Sequence, residues 1–282
     1  MNKKTTLLTK LFFIITFVTI CISGIYARQV ELFEPPRLFN VPVADTLKSF
    51  DLNASGAGTF GTDQFSFLGT GYLGLGRIAQ IEVGAVRILR RLNEAETELI
   101  GVPAAGIKIF IPGERASRIL PNVSASYRRT FGRYEETGSI TYKRELADLY
   151  IMASKTLISF KGWRGITLHG GADYIGASLT GNKVRRETLE KFLPFGGIEI
   201  WATGKTKLMG EFEWVANFNE EGIPKLEDEP VWVAIVGARI FITRFLTADI
   251  GVRYQENFKT VADAKIEASF SVSIPTHLIY DF

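Results

Sequence analysis

The side chains that could do chemistry in this chain of 282 residues are two histidines, one glycine triplet and a set of charges spaced two apart. His169 and His277, with carboxylates scattered around them, are too few to build a metal centre. Nucleophilic catalysis would need a hydroxyl beside an imidazole base, and no serine on an adjoining strand pairs with His169 by its place in the sequence. Gly69, Gly71 and Gly74 have the G-x-G-x-x-G spacing that cradles a pyrophosphate, but that use requires a helix to follow, and Leu75 to Ile88 alternates as a strand. These glycines are read as relief of strand curvature. No catalytic residue, metal site or cofactor is expected, and the chain is not expected to be an enzyme.

The charges say more. Glu199, Glu211 and Glu213 fall on two neighbouring segments, Arg239 on the next, and Asp249 and Arg253 beyond it, each on the polar face of an alternating pattern. Asp51, Glu82, Lys108, Arg128, His169 and Asp173 share that face elsewhere. Charges of both signs inside a confined interior must pair across strands or be hydrated, so the first six are expected to form a cross-strand ionic network.

The elements that carry these charges have period two. Leu208, Gly210, Phe212, Trp214, Ala216 and Phe218 are apolar or small, while Lys207, Glu211, Glu213 and Asn217 fall between them. Leu246 to Gln255 and Ile166 to Tyr174 repeat the pattern, and no helical periodicity is sustained. Segments of about ten residues alternating in this way mark a transmembrane antiparallel up-and-down β-barrel, an all-β fold. Twelve strands are expected, near 46–59, 65–77, 78–91, 103–112, 121–131, 148–159, 165–178, 191–203, 206–219, 230–242, 245–257 and 264–282. If Ser139 to Tyr142 makes its own hairpin across the membrane, the count becomes fourteen. Connections alternate between short turns, such as 204–205 and 243–244, and longer charged loops at 92–102, 132–147, 180–190, 220–229 and 258–263. The short set would face the periplasm and the long set the outside.

Ahead of the strands, Lys3, Lys4 and Lys10 precede an apolar run from Leu11 to Ile22 and small residues ending at Ala27. Residues 1–27 are therefore expected to be a cleaved signal peptide. Losing those lysines takes Lys+Arg from 33 to 30, equal to Asp+Glu at 30, so no basic field remains to attract nucleic acid. The only cysteine, Cys21, leaves with the leader. Residues 28–45 hold Pro35, Pro36 and Pro42, which exclude a regular strand or helix throughout. They are read as a periplasmic N-terminal extension ahead of a barrel at 46–282. The alternative is a plug meeting the acidic cluster through Arg28 or Arg37.

At the other terminus Phe270, Val272, Ile274, Leu278, Tyr280 and Phe282 alternate, and the sequence ends on an aromatic. This strand resembles the C-terminal insertion signal of bacterial outer-membrane β-barrel proteins, with Leu278, Tyr280 and Phe282 as the residues read. The resemblance implies an outer-membrane location, outer-membrane lipid as surroundings, and the barrel assembly machinery and periplasmic chaperones as partners in biogenesis. Lys191 to Asn217, with Phe195-Gly-Gly-Ile-Glu199 and Gly210-Glu-Phe-Glu213, is similar to barrel repeats of exopolysaccharide-associated outer-membrane proteins. The function expected is a narrow pore or transporter for a small polar solute or glycan. The alternative is a closed structural or docking barrel whose charged loops meet an envelope protein or surface polysaccharide.

Overall fold

The computed structural model describes residues 32–60, 65–76, 78–91, 97–137, 139–160, 163–184, 186–220 and 223–276. The leader, Arg28, His277, Leu278, Tyr280 and Phe282 lie outside the described residues.

Thirteen strands follow one another: β1 (Leu52–Phe60), β2 (Phe65–Gly74), β3 (Ala79–Arg91), β4 (Thr97–Ile111), β5 (Asn122–Thr130), β6 (Arg133–Thr137), β7 (Ile140–Phe160), β8 (Trp163–Gly181), β9 (Glu187–Thr203), β10 (Thr206–Asn219), β11 (Lys225–Phe241), β12 (Leu246–Gln255) and β13 (Lys265–Ile274). A four-residue helix α1 (Gly113–Ala116) sits between β4 and β5. Neighbours in sequence are neighbours in the wall, β1 pairs with β13, and β5 pairs with β7, so the sheet closes on itself. β5 and β6 are two arms of one stave, both antiparallel to β7, separated by a break at Phe131 and Gly132. The result is a closed antiparallel barrel of twelve staves.

Alternation explains the wall. Along β13, Glu267, Ser269, Ser271 and Ser273 are buried, while Ile266, Phe270, Val272 and Ile274 are exposed. Glu82 and Lys108 point in, while Val83, Ile107 and Ile109 point out, and on β11 the outward Val236 stands beside buried Ile235. An apolar outer belt around a polar interior is the solvation pattern of a barrel in hydrocarbon, because closure also leaves no unpaired strand edge.

Several boundaries differ from expectation. Ser139 to Tyr142 adds no extra pair of staves: it leads into β7, whose first residues pair with β6 and whose continuation pairs with β5, so fourteen staves are excluded. The expected loops at 92–102, 132–147, 180–190 and 220–229 are partly strand, since β4 begins at Thr97, β9 at Glu187 and β11 at Lys225. The reason is packing: inward Leu146 and Leu189 join a buried apolar cluster, and Leu226 packs against it. Residues 46–51 are not strand, because the chain turns there and Phe50 takes the left-handed conformation with φ 59°. β13 stops at Ile274, before Pro275, which has no N–H to donate.

One pairing departs from a simple cylinder. β2 pairs with β3 only from Gly71↔Val83 to Gly74↔Gln80, and β9 with β10 only as far as Phe195↔Glu213. Beyond those points β3 and β10 lean across the interior and pair with each other in parallel, from Ala216↔Ile88 to Asn219↔Arg91. The Glu220 N–H donates to the Arg91 carbonyl at 2.8 Å, extending the contact. This two-stranded septum divides the long-loop half of the barrel into two lobes. On one side Val86, Ile88, Ala216 and Phe218 pack with Val102, Leu146, Ile175, Leu189 and Leu193 into a dry core. Leu89 and Val215 face the other lobe.

That second lobe receives the N-terminal segment. Residues expected to trail as a tether are instead folded into the bore: Leu38 and Val41 are fully buried, and Phe39 and Val43 nearly so. The segment enters at the short-turn end, where the Phe33 N–H donates to the Arg244 carbonyl and the Phe33 ring stacks on Phe245. It reverses in a tight turn closed by Leu38 N–H to Val41 C=O at 2.8 Å and Val43 N–H to Pro36 C=O at 3.1 Å. Wall glycines make the room. A Cβ on Gly251 would stand 2.8 Å from the Phe39 ring, and one on Gly197 would stand 2.2 Å from a Leu38 methyl.

Candidate functional site in the barrel lumen

The six charges singled out in the sequence all border this plugged bore, but they do not form one network. Arg239 and Asp249 are direct cross-strand partners on β11 and β12. The guanidinium donates from Nε to Asp249 Oδ1 at 2.8 Å and from Nη2 to Oδ2 at 3.0 Å. Nη2 also donates to the carbonyls of Arg37 and Leu38, at 2.9 and 3.0 Å, so the same arginine ties wall to plug. Ser269 completes the Asp249 shell with a hydroxyl at 3.0 Å.

Glu211 meets no arginine directly. Its carboxylate accepts the Asn40 N–H at 2.9 Å, the Val41 N–H at 3.0 Å and the Asn40 side-chain amide at 2.9 Å, and so caps the turn of the plug. Asn40 Nδ2 also donates to Glu267 at 3.0 Å, and Glu267 is held by Arg253 at 2.9 Å. Glu213 pairs with Arg87, which lies 3.6 Å from Glu267. Glu199 accepts from Lys207 at 2.7 Å, and Lys207 also binds Glu34 of the plug. Buried charges are tolerable here because each has a close partner of opposite sign or several donors.

Across the bore a second group supports the plug from the opposite wall. Fully buried Lys108 donates to the Val43 carbonyl at 3.1 Å and the Asp45 carbonyl at 2.9 Å. Beside it Glu82 accepts from Tyr150, Ser126 and Gln80. Burial raises the Asp45 carboxyl above its ordinary range, with the Lys108 ammonium opposing. On the neighbouring strands β5 and β7, Arg128 donates from Nε and Nη2 to the carboxylate of Asp148 as a bidentate pair.

Arg87, Glu267 and Asn40 escaped the sequence reading, and Lys207, placed there on the polar face, was not counted among the network charges. Lys207 and Glu267 share parity with inward Glu211 and Ser269, so their signal was present in the alternation. Arg87 carries no such signal. Strict alternation from Glu82 would send it outward, and it faces the interior only because β3 crosses the lumen there. The expectation that no serine adjoins His169 is also corrected. Ser154 is its cross-strand partner, with Oγ 2.8 Å from Nδ1, and it accepts the Ala44 N–H of the plug at 2.9 Å.

Voids remain beside the plug. Two of about 50 and 60 Å³ flank the plug turn. A larger one of about 300 Å³ lies at the short-turn end, between Glu34 and Asp45 of the plug and His169, Glu199 and Lys207 of the wall. Among the described residues no cluster of three potential metal ligands occurs.

No family model and no curated protein matches the chain. Among solved structures it is similar to the translocator domain of the autotransporter NalP from Neisseria meningitidis, at 12% identity and a TM-score of 0.47, covering 79% of this chain and 87% of that one. It is also similar to the NanC porin, at 8% identity and 0.45, covering 79% and 98%. A third is the outer membrane protein Omp33 of Acinetobacter baumannii, at 10% and 0.39, covering 80% and 98%.

Proposed function

We propose that this chain is a bacterial outer-membrane barrel whose narrow polar path, suited to a small polar solute, is held shut by its own N-terminal segment. The observation that carries the reading is the chemistry of the closed bore. The plug is held largely through its backbone by hydrogen bonds to Glu211, Arg239, Lys108 and Ser154, while the wall beside it is lined with Asn53, Ser55, Ser269, Ser271 and Ser273. A segment bonded in this way uncovers those polar groups when it withdraws, together with the apolar Met209, Val215, Val233 and Ile235 that its side chains pack against. The other lobe has no such surface, since its aliphatic core is sealed. With the short turns in the periplasm, the plug enters from that side.

A closed barrel that docks envelope partners is the second reading, favoured by the burial of Leu38, Phe39, Val41 and Val43 inside the barrel. Liposome swelling in graded sugars separates the two. Barrels with residues 32–45 present are expected to swell slowly, and barrels lacking residues 32–45 rapidly, with a sharp size limit. If removal leaves swelling unchanged, the bore is a scaffold and the docking reading takes over. No catalytic step is proposed at Ser154 and His169, because the hydroxyl is engaged by the plug backbone.

A further inference from the structure

One connection at the short-turn end is unlike its neighbours. Residues 204–205 reverse the chain in two residues and 242–245 in four, whereas 112–121, between β4 and β5, take ten. Its side chains are unusual for a turn in water. Ile119 is 85% exposed, more than any other large apolar side chain among the described residues, and Leu120 follows at 49%. Arg115 and Arg118 are exposed in the same loop.

The loop is held in place by its own polar groups. The Ser117 N–H donates to the Gly113 carbonyl at 3.0 Å and the Leu120 N–H to the Ser117 carbonyl at 3.1 Å, closing two successive turns. Glu114, the only carboxylate of the loop, accepts the Thr156 N–H at 2.9 Å and lies 3.3 Å from the Lys155 ammonium. Lys155 also donates to the carbonyls of Arg118 and Leu120, the latter at 3.1 Å. Which way Lys155 points therefore fixes where the loop lies. On β7 Ser154 is buried against the plug, while Ile151 and Leu157 are exposed, and Lys155 shares their parity. Residues 118–120 are thus strapped to the outer face of the wall. The outward column Ile107, Ile109 and Ile111 of β4 ends where the loop begins. The two arginines and two aliphatic side chains accordingly sit at the lower border of the apolar belt.

We infer that residues 112–121 form a site for an anionic phospholipid of the leaflet at the short-turn end. Arg115 and Arg118 hold its phosphate, and Ile119 and Leu120 enter the boundary of its acyl chains. Guanidinium groups offer paired donors to phosphate oxygens. Basic side chains beside a membrane are attracted to anionic headgroups, and aliphatic side chains at that depth exchange water for hydrocarbon. With Glu114 held by Lys155, no acid of the loop opposes the two arginines. A lipid is favoured over a soluble protein by position, since residues 118–120 lie against the face of the wall that lipid surrounds. The inference goes beyond the plugged-path reading and needs only that the barrel crosses a membrane, so swelling after plug removal tests neither it nor its failure.

The test uses the full barrel with Cys21→Ser and Ala116→Cys, labelled with bimane and folded into phosphatidylcholine vesicles. Ala116 is exposed, and its replacement keeps both arginines and both aliphatic side chains. The vesicles carry either phosphatidylglycerol or phosphatidylcholine with a nitroxide near the headgroup, and iodide serves as the aqueous quencher. Nitroxide phosphatidylglycerol is expected to quench at about tenfold lower mole fraction than nitroxide phosphatidylcholine. Arg115→Gln with Arg118→Gln is expected to reduce that preference to about twofold or less. Ile119→Ser with Leu120→Ser keeps the charges and is expected to raise quenching by iodide about twofold or more. Folding of each variant is checked by heat-shifted migration on gels. The inference is overturned if iodide quenches and neither lipid does, which is the outcome for a loop that faces water or docks a soluble protein. It is also overturned if the two lipids quench alike, if the preference survives loss of both arginines, or if the serine pair leaves iodide quenching unchanged.

Discussion

Replacing Arg239 with alanine is expected to cost about 3–5 kcal/mol of barrel stability, the usual consequence of leaving a buried charge without its partner. Asp249 is 4% exposed and would keep only the Ser269 hydroxyl, while the carbonyls of Arg37 and Leu38 would lose their donor. The loss is therefore felt twice, in the wall between β11 and β12 and in the seat of the plug. Urea unfolding followed by tryptophan fluorescence in lipid measures the first. The paired replacement of Arg239 by Met with Asp249 by Leu separates charge from packing, and it is expected to recover most of the loss because no charge remains to be desolvated. A cost below about 1 kcal/mol for the single alanine would mean that water reaches Asp249 and that the plug does not cover it.

Glu211→Ala is expected to have the largest effect on gating. It strips the acceptor from two backbone N–H groups and one amide, all inside the bore, while Val41 itself is fully buried. Each orphaned donor costs about 1–3 kcal/mol unless water replaces the carboxylate, and water can do so only if the turn lifts away. The docked population is thus expected to fall by tenfold or more, and single-channel recordings should change from rare to frequent openings. Asn40→Ala removes only the side-chain arm of the same contact and should open the barrel less often than Glu211→Ala. Equal, silent traces from both variants would show that Glu211 does not hold the segment.

The wall was legible because alternation is a local property. Glu267, Ser269, Ser271 and Ser273 against Ile266, Phe270 and Val272 can be sorted by parity alone, and twelve such runs set the barrel. The cross-strand partners of the charges were less legible, since register cannot be read from parity. Arg239 was placed on the right face, and its match to Asp249 needed the β11 and β12 pairing. The septum lay beyond the pattern altogether. Parity assumes one inside, whereas β3 and β10 have interior on both faces at Ile88, Leu89, Val215 and Ala216. The plug was masked by its prolines, which spoke correctly against regular structure but not against burial. Its apolar residues Leu38, Phe39, Val41 and Val43 were a clue, and so were Gly237 and Gly251, small residues on adjoining strands. At Gly237 a Cβ would come within 2.1 Å of the Ile250 carbonyl oxygen and 2.8 Å of the Phe39 ring, so the wall there has room for the plug and for nothing else.

The location of the N-terminal segment is tested most directly by thiol accessibility. With Cys21→Ser as background, cysteines placed singly at Val41 and at Phe50 are exposed to a membrane-impermeant maleimide on the folded barrel. Val41 is fully buried and Phe50 is 65% exposed. Phe50→Cys is expected to label within minutes, and Val41→Cys only after the barrel is unfolded. Equal labelling of the two on the folded protein would place residues 32–45 outside the bore and contradict the account.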